Sequence, residues 1–343
     1  MKTELLDYQL PDDRIGQTPA EPRDSSKLLH VRKNSDDFTD LIFRDLPSLL
    51  KPGDILVTNN AKVMHARLYG YKHPSGARIE VFLLEHLPGS NRYKALLRRK
   101  RRLEPGDEVL FPESDLRCEV VEVADGLGDD VVEFSGVDDV FGEIERTGNI
   151  PLPVYITEYN GDMERYQTVY AKQEGSVAAP TAGLHFTPVL LMKINEMGVH
   201  RAEVHLRVGW GTFSPIRTEE MEDHKIHTES GEITAETADA INSARKNGGR
   251  VIAVGTTVTR MLESSVNYDG EIQPFSGPTD LYITPGFDFR AVDVLITNFH
   301  LPRSSLLALT MAFGGYAKIH AAYQHAITNG YRFYSFGDCM IIE

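Results

Sequence analysis

Cysteine and long hydrophobic runs are scarce in this sequence of 343 residues. Its two cysteines, Cys118 and Cys339, are too few for a disulfide framework or a four-thiolate metal site. No stretch approaches the ~18 apolar residues that a membrane-spanning helix needs. Residues 1–7 also lack the apolar segment of a signal peptide. We therefore expect a globular, cytoplasmic protein with no membrane association.

Positive charge is the minority sign, with 36 lysines and arginines against 50 aspartates and glutamates and a net charge of −14. Residues 60–110 nevertheless carry 11 basic and 5 acidic side chains, whereas residues 111–146 carry 2 and 12. Because salt screens charges more than about 8–10 Å apart, a local basic patch can bind a phosphate backbone on an acidic protein. The densest basic run, at 98–102, predicts either such a contact or an ordinary solvated loop.

The sequence pattern changes near residues 60 and 150. Residues 60–149 contain about six short strands separated by glycine and proline, which predicts a small β-barrel or sandwich. After residue 150, strands alternate with helices, which is typical of an α/β fold with a mostly parallel sheet. We predict a layered α/β catalytic domain, 1–59 together with 150–343, interrupted by a small β-barrel domain that carries the basic patch.

Polar loops adjoin several of the predicted strands. Ligands of α/β sheets collect at the carboxyl ends of strands, so 209–213, 255–260 and 297–305 are candidate binding loops. The stretch 175–188 is a further candidate, because its small residues let backbone amides approach a ligand closely just before a helix. Amides and hydroxyls at a helix start favour an anionic or ribose ligand, and a neutral histidine can give or take a proton near pH 7. Each loop is also consistent with a turn or helix cap.

Two further segments have weaker signals. Residues 223–229 contain two histidines and a glutamate, but their spacing fits no common zinc motif, so we expect no metal site. Residues 331–340 alternate aromatic and polar side chains, which predicts a terminal strand with a turn at Gly337-Asp338.

Motifs along nearly the whole chain form one ordered pattern. They include Arg165-Tyr166-Gln167-Thr168-Val169-Tyr170, the 175–187 stretch, Val254-Gly255-Thr256-Thr257, 297–302 and Arg332-x-x-Ser335-x-Gly337-Asp338. In this order they closely resemble the S-adenosylmethionine:tRNA ribosyltransferase-isomerase family of queuosine biosynthesis. The resemblance implies an α/β domain interrupted by a small β-barrel. It also implies S-adenosylmethionine as a co-substrate, with no permanently bound cofactor.

The same resemblance implies the reaction. The ribosyl group of S-adenosylmethionine is transferred to, and isomerised on, a 7-aminomethyl-7-deazaguanine at the wobble position of tRNA. The products are epoxyqueuosine-containing tRNA, adenine and methionine. A base must remove a proton beside the sulfonium, and an acid assists the departure of adenine. The expected partners are this tRNA and S-adenosylmethionine, and we expect a monomer.

The candidate residues fall into three groups. The predicted catalytic residues, in which either histidine is the base or the acid, are His185, His300, Thr181 and Asn298. The residues predicted to bind substrate are Gly183, His205, Gly209, Gly211, Thr212, His227, Thr256, Thr257, Arg303 and Asp338. The residues predicted to contact tRNA are Arg67, Arg98, Arg99, Lys100, Arg101 and Arg102.

Three other function classes remain open from the sequence. A noncatalytic RNA-binding module would use the barrel and the basic run but would leave the polar strand-end loops unexplained. A methyltransferase would use the same co-substrate and release S-adenosylhomocysteine. A metal hydrolase would need a metal that elemental analysis detects.

Overall fold

A nine-stranded sheet and a closed six-stranded barrel organise the protein. The computed structural model describes residues 1–98, 103–124, 130–209, 211 and 215–343. The chain divides into two units. The α/β unit comprises residues 1–61, 153–173 and 179–343, and the barrel unit comprises residues 62–152 and 174–178. The predicted division into two domains, 1–59 with 150–343 and 60–149, stays a prediction.

The regular elements follow in chain order. The strands are β1 (Lys27–Val31), β2 (Phe38–Ile42), β3 (Ile55–Asn59), β4 (Ala61–Val63), β5 (Arg67–His73), β6 (Ala77–Leu87), β7 (Arg92–Arg98), β8 (Glu108–Leu110), β9 (Arg117–Glu122), β10 (Asp130–Ser135), β11 (Gln173–Ser176), β12 (His200–Leu206), β13 (Glu229–Ile233), β14 (Val251–Val254), β15 (Phe275–Thr279), β16 (Val294–Asn298) and β17 (Cys339–Ile342). The helices are α1 (Val140–Thr147), α2 (Pro188–Glu196), α3 (Ala235–Lys246), α4 (Thr256–Ser265), α5 (Ser305–Gly314) and α6 (Tyr316–Thr328).

The sheet of the α/β unit has the order β15-β13-β12-β3-β14-β16-β17-β1-β2. Strands β12, β3, β14 and β16 run parallel to one another, and β17 runs parallel to β1. The other four pairings are antiparallel. The α/β class is confirmed, but the sheet is mixed rather than mostly parallel. Short connections, such as the one between β1 and β2, allow antiparallel hairpins. The direction of a strand cannot be read from an apolar run, so the sequence did not predict these antiparallel pairings.

Both faces of the sheet are covered. Strands β3, β14 and β16 are buried at every residue, which explains why they read as continuous apolar runs. Helix α2 packs on one face through Leu190 and Ile194, and helices α3 to α6 belong to the core on the other. Because β12, β3, β14 and β16 are parallel, their carboxyl ends lie at one edge of the sheet, where the candidate loops 255–260 and 297–305 begin.

The barrel unit closes in the order β10-β7-β6-β5-β8-β9. Its strands alternate between buried and exposed side chains, as in β7, where Tyr93, Ala95 and Leu97 are buried. Gly70 has no room for a larger residue, because a Cβ there would lie 2.6 Å from a Val109 methyl carbon. The predicted small β-barrel is therefore confirmed.

The predicted terminal strand at 331–340 is largely wrong. Only β17 is a strand, and the preceding residues form a loop. Tyr334 adopts a positive φ of 72°, which a strand residue does not, while Tyr331 and Phe333 are buried in the core. The aromatic residues were therefore a signal of burial and not of extended structure.

Candidate active site

The carboxyl edge of the parallel strands borders a cavity of about 360 Å³. It lies between the loop after β14, the loop after β16 and a short 3-10 helix at Thr181–His185. We call it the strand-end cavity. Its polar lining residues are Thr181, Thr256, Thr257, Thr297 and His300. Hydroxyls and an imidazole in one apolar-walled cleft can hold a sugar and move a proton.

His300 is fixed in this cavity from several sides. Its Nε2 lies 2.7 Å from Thr297 Oγ1, and its backbone N–H donates to the Tyr323 hydroxyl at 2.9 Å. The Tyr8 hydroxyl donates to its carbonyl oxygen. Burial lowers the pKa of His300 to about 3, so the ring is neutral at physiological pH. Among the described residues, its Nδ1 has no hydrogen-bond partner, so this atom is free for a ligand or a proton.

His185 is held through both of its ring nitrogens. Ser26 Oγ lies 2.7 Å from Nδ1, and Asn298 Oδ1 lies 3.3 Å from Nε2. Asn298 Nδ2 donates to the Tyr334 carbonyl at 3.0 Å, which turns its Oδ1 toward the histidine. Nε2 of His185 therefore carries the proton, and Nδ1 accepts from Ser26. Burial lowers the pKa of His185 to about 4, so this ring is also neutral.

A second cavity, of about 340 Å³, connects these groups. Thr181 and His300 line both cavities, and Asn298 lines the second together with Tyr155 and Ser335. The structure thus brings three of the four predicted catalytic residues together. His185 joins them through its contact with Asn298.

Thr256 and Thr257 begin helix α4 at the edge of the strand-end cavity. Gly255 precedes them with a φ of +96°, a conformation that suits glycine and lets the chain turn sharply from strand to helix. The first N–H groups of a helix lack helical partners and favour anionic or polar ligands. Thr257 Oγ1 is buried and has no hydrogen-bond partner among the described residues. A ligand hydroxyl would satisfy it.

Gly211 and His227 line a third cavity, of about 420 Å³. A Cβ on Gly211 would lie 2.2 Å from the His227 ring, so only glycine fits there. Glu229 and Arg260 form a buried ion pair in the wall, and the Gly209 N–H donates to Glu229 at 3.0 Å. Arg260 ends the candidate loop 255–260 but was not among the predicted site residues, and Tyr282 lies in a loop that carries no motif.

The other predicted substrate residues stay outside these three cavities. A Cβ on Gly183 would lie 2.2 Å from the Tyr170 hydroxyl, so this glycine serves packing. His205 bonds to Asn60 Oδ1 at 3.2 Å, and burial lowers its pKa to about 4. Asp338 accepts the backbone N–H groups of Lys27 and Arg332. Arg303 is half-exposed, 3.9 Å from Asp7. A direct role for these residues stays a prediction.

The predicted tRNA contacts belong to the barrel unit. Arg67 and Arg98 lie 3.4 and 3.9 Å from the carboxylate of Glu80, which offsets part of their charge. The rest of the basic run, at 99–102, and Thr212 lie outside the described residues. Among the part of the chain that the structure describes, no group of three or more histidine, cysteine, aspartate or glutamate side chains could hold a metal ion.

Comparison with known families assigns the chain. Residues 3–342 match the model of the family described as queuosine biosynthesis protein. The chain belongs to this queuosine biosynthesis family. It is therefore an enzyme of queuosine biosynthesis, as the ordered motifs predicted.

Individual relatives in the family are similar over their whole length. The S-adenosylmethionine:tRNA ribosyltransferase-isomerases of Brucella ovis and of Brucella suis biovar 1 are each 47% identical, over 100% of this chain and 98% of theirs. The crystal structure of S-adenosylmethionine tRNA ribosyltransferase from Thermotoga maritima is 35% identical, with a TM-score of 0.57. That match covers 99% of this chain and 100% of the Thermotoga chain. Among the described residues, no helix is long and apolar enough to cross a membrane.

Proposed function

We propose that the protein transfers and isomerises the ribosyl group of S-adenosylmethionine onto the 7-aminomethyl-7-deazaguanine base at the wobble position of tRNA. The products are epoxyqueuosine-containing tRNA, adenine and methionine. The observation that carries the proposal is the strand-end cavity, where Thr181, Thr256, Thr257 and His300 converge in a member of the queuosine biosynthesis family. The 47% identical relatives are named for this activity.

His300 is the proposed base. Burial lowers its pKa to about 3, so at neutral pH the ring is uncharged, and its Nδ1, which has no hydrogen-bond partner among the described residues, can accept a proton. The proton beside a sulfonium is acidified by the positive charge, which reduces the basicity that the reaction demands. Thr297 holds the ring at Nε2 and Tyr323 holds the backbone N–H of His300, so little orientation entropy is lost when the substrate binds.

His185 is proposed to position Asn298 and not to exchange protons. Both of its ring nitrogens are occupied, and a pKa of about 4 leaves it uncharged. Asn298 is then fixed at the wall of the second cavity with Thr181, where it faces a bound nucleotide or nucleoside. Thr256 and Thr257 hold the ribose, and S-adenosylmethionine enters as a co-substrate without a permanently bound cofactor.

The proposal includes a cytoplasmic monomer, since this tRNA is the substrate and the chain alone forms the cavity. A direct test incubates the protein with S-adenosylmethionine and tRNA that bears the aminomethyl-deazaguanine. We expect adenine and methionine in equal amounts by chromatography. S-adenosylhomocysteine would instead identify a methyltransferase. Tight tRNA binding without any product would identify a noncatalytic RNA-binding protein.

A further inference from the structure

A fourth cavity, of about 240 Å³, adjoins His185 in the α/β unit. Arg23 and Arg165 line it together with His185, Ser335 and Gly337, and we call it the arginine cavity. Among the described residues no carboxylate lines it, so two cationic side chains face this cavity.

Arg23 is held by neutral partners alone. Its Nη1 donates to the Leu184 carbonyl at 3.2 Å, and its Nη2 donates to the Glu164 carbonyl at 3.4 Å. Among the described residues it forms no ion pair within 4.0 Å. These two carbonyls fix the plane of the guanidinium, and the carboxylates of Glu21 and Asp162 act on its charge only from beyond ion-pair distance.

The positive charge of Arg165 is only weakly compensated by a carboxylate. Its Nη2 donates to the Ala20 carbonyl at 2.5 Å, and its Nε lies 3.2 Å from Glu21. The Glu21 side chain is 78% exposed, so water screens much of this ion pair. Its Nη1 is buried and has no hydrogen-bond partner among the described residues. Nη1 of Arg165 can therefore donate a hydrogen bond to a ligand.

The two guanidiniums repel each other. Burial first, and then the charge of Arg165, lower the pKa of Arg23 to about 10, although Glu21 and Asp162 act in the opposite direction. Arg23 is still cationic at neutral pH. An anion that binds between two like positive charges at a cavity wall relieves their repulsion, so its binding is electrostatically favourable.

We propose that Arg23 and Arg165 form a binding site for a backbone phosphate of tRNA. The inference rests on the proposed function, because it takes tRNA as the ligand. Guanidinium groups match phosphate oxygens with paired hydrogen bonds, and phosphate contacts fix the register of a nucleic acid on a protein. The arginine cavity shares Ser335 with the cavity that contains Asn298 and His300. A phosphate bound here would place its nucleotide beside the proposed catalytic groups.

Several basic residues of the barrel unit are already neutralised, so a phosphate contact outside that unit would add to tRNA affinity. Several described ones are paired with carboxylates, as Lys72 is with Asp107 at 2.5 Å and Arg92 with Glu133 at 3.1 Å. Positive charge that is already neutralised contributes little to counterion release. Arg23 differs from them, because it forms no ion pair within 4.0 Å among the described residues, and the Glu21 carboxylate that faces Arg165 is 78% exposed.

The test measures tRNA affinity as a function of salt concentration for the full-length protein. We expect the double variant R23Q/R165Q to bind tRNA at least tenfold more weakly. Its log–log salt slope should be smaller by about 0.7–0.9 for one lost phosphate contact. The affinity for S-adenosylmethionine should stay unchanged. R165K, which keeps the charge, should retain most of the slope. The matched control is R44Q, since Arg44 is half-exposed, lies 3.6 Å from Asp24 and does not line the cavity.

The outcomes separate this inference from the proposed function. An unchanged tRNA affinity and slope in R23Q/R165Q would overturn the phosphate site even if the wild type releases adenine. A loss of S-adenosylmethionine affinity with unchanged tRNA binding would also overturn it, by assigning the arginines to the carboxylate of that substrate. If the wild type releases no adenine while R23Q/R165Q loses tRNA affinity and salt slope as expected, the proposed function fails and the phosphate site stands. Should the double variant unfold, the slope of R165K against that of R165Q decides.

Discussion

At the scale of single residues, the chemistry is concentrated on His300. Its ring is neutral, held at Nε2 by Thr297, and free at Nδ1 among the described residues, while Tyr323 holds its backbone N–H. His185 differs from it in having both ring nitrogens occupied. Two histidines that look equivalent in the sequence therefore have different chemical capacities in the structure.

The first prediction follows from that difference. His300→Ala should lower kcat by about 10²–10⁴-fold, because a positioned base contributes about that much. His185→Asn keeps hydrogen-bonding groups near Asn298 and should cost less. Single-turnover adenine release measures both. Turnover within tenfold of the wild type in the double alanine variant of His185 and His300 would refute the assignment of either histidine to proton transfer.

The second prediction concerns acid stability. The pKa values of His185 and His300 are about 4 and 3 in the folded protein, below the ~6.5 of an unfolded histidine. The unfolded state therefore binds protons first, and stability is lost as the pH falls below 6.5. At pH 5, each histidine should lower the free energy of unfolding by about 2 kcal/mol relative to its value at pH well above 6.5.

Denaturant titrations at pH 7.5, 6.5 and 5 check this. The H185N variant should show a shallower decline between pH 6.5 and 5 than the wild type, since it lacks one of the buried histidines with a lowered pKa, a set that also includes His205. A decline of equal steepness would mean that His185 is protonated in the folded protein.

At the scale of secondary-structure elements, the site is made by strand ends and helix starts. The motif Gly255-Thr256-Thr257 was placed correctly from the sequence, because a continuous apolar strand and a helical pattern meet there. Tyr155, Tyr282 and the pairing of Arg23 with Arg165 had no such signal. These residues lie in loops or far apart along the chain, and only the packing of the folded chain brings them to the cavities.

The third prediction concerns the start of α4. Thr257→Val removes a hydroxyl that has no partner among the described residues, so the unfolding free energy should change by less than about 0.5 kcal/mol. If that hydroxyl binds the ribose, the Kd for S-adenosylmethionine should rise about tenfold.

Thr259→Val serves as its control, because Thr259 Oγ1 donates to the Gly255 carbonyl inside the helix. We expect the control to change the affinity less than T257V does. Isothermal titration calorimetry and denaturant unfolding measure the two quantities. An unchanged Kd in T257V would remove Thr257 from the substrate site.

The fourth prediction uses two glycines from the candidate loops. Gly183→Ala places a Cβ 2.2 Å from the buried Tyr170 hydroxyl and should destabilise the fold by about 1–3 kcal/mol. Gly209→Ala meets no atom of the described residues within 4 Å and should stay within about 0.5 kcal/mol of the wild type. Thermal or denaturant unfolding measures both, and equal losses would contradict the packing role of Gly183.

At the scale of the whole molecule, composition and side-chain pattern predict the architecture but not the directions of the strands. The six barrel strands and the alternation of strands and helices were readable from side-chain periodicity. The antiparallel pairing of β17 with β16 was not, because a fully buried strand reads the same in either direction. The net charge of −14 likewise hides where positive charge is left unpaired, which only the ion pairs of the folded chain reveal.

The central claim is that the strand-end cavity splits S-adenosylmethionine at its ribose and delivers the sugar to a tRNA base. The most direct measurement follows free adenine and modified tRNA together, with wild-type protein, S-adenosylmethionine and tRNA bearing the aminomethyl-deazaguanine. We predict one adenine per modified nucleotide, and no adenine when tRNA lacking the aminomethyl group replaces the substrate. Adenine release that is independent of that group, or modification that yields S-adenosylhomocysteine, would contradict the account.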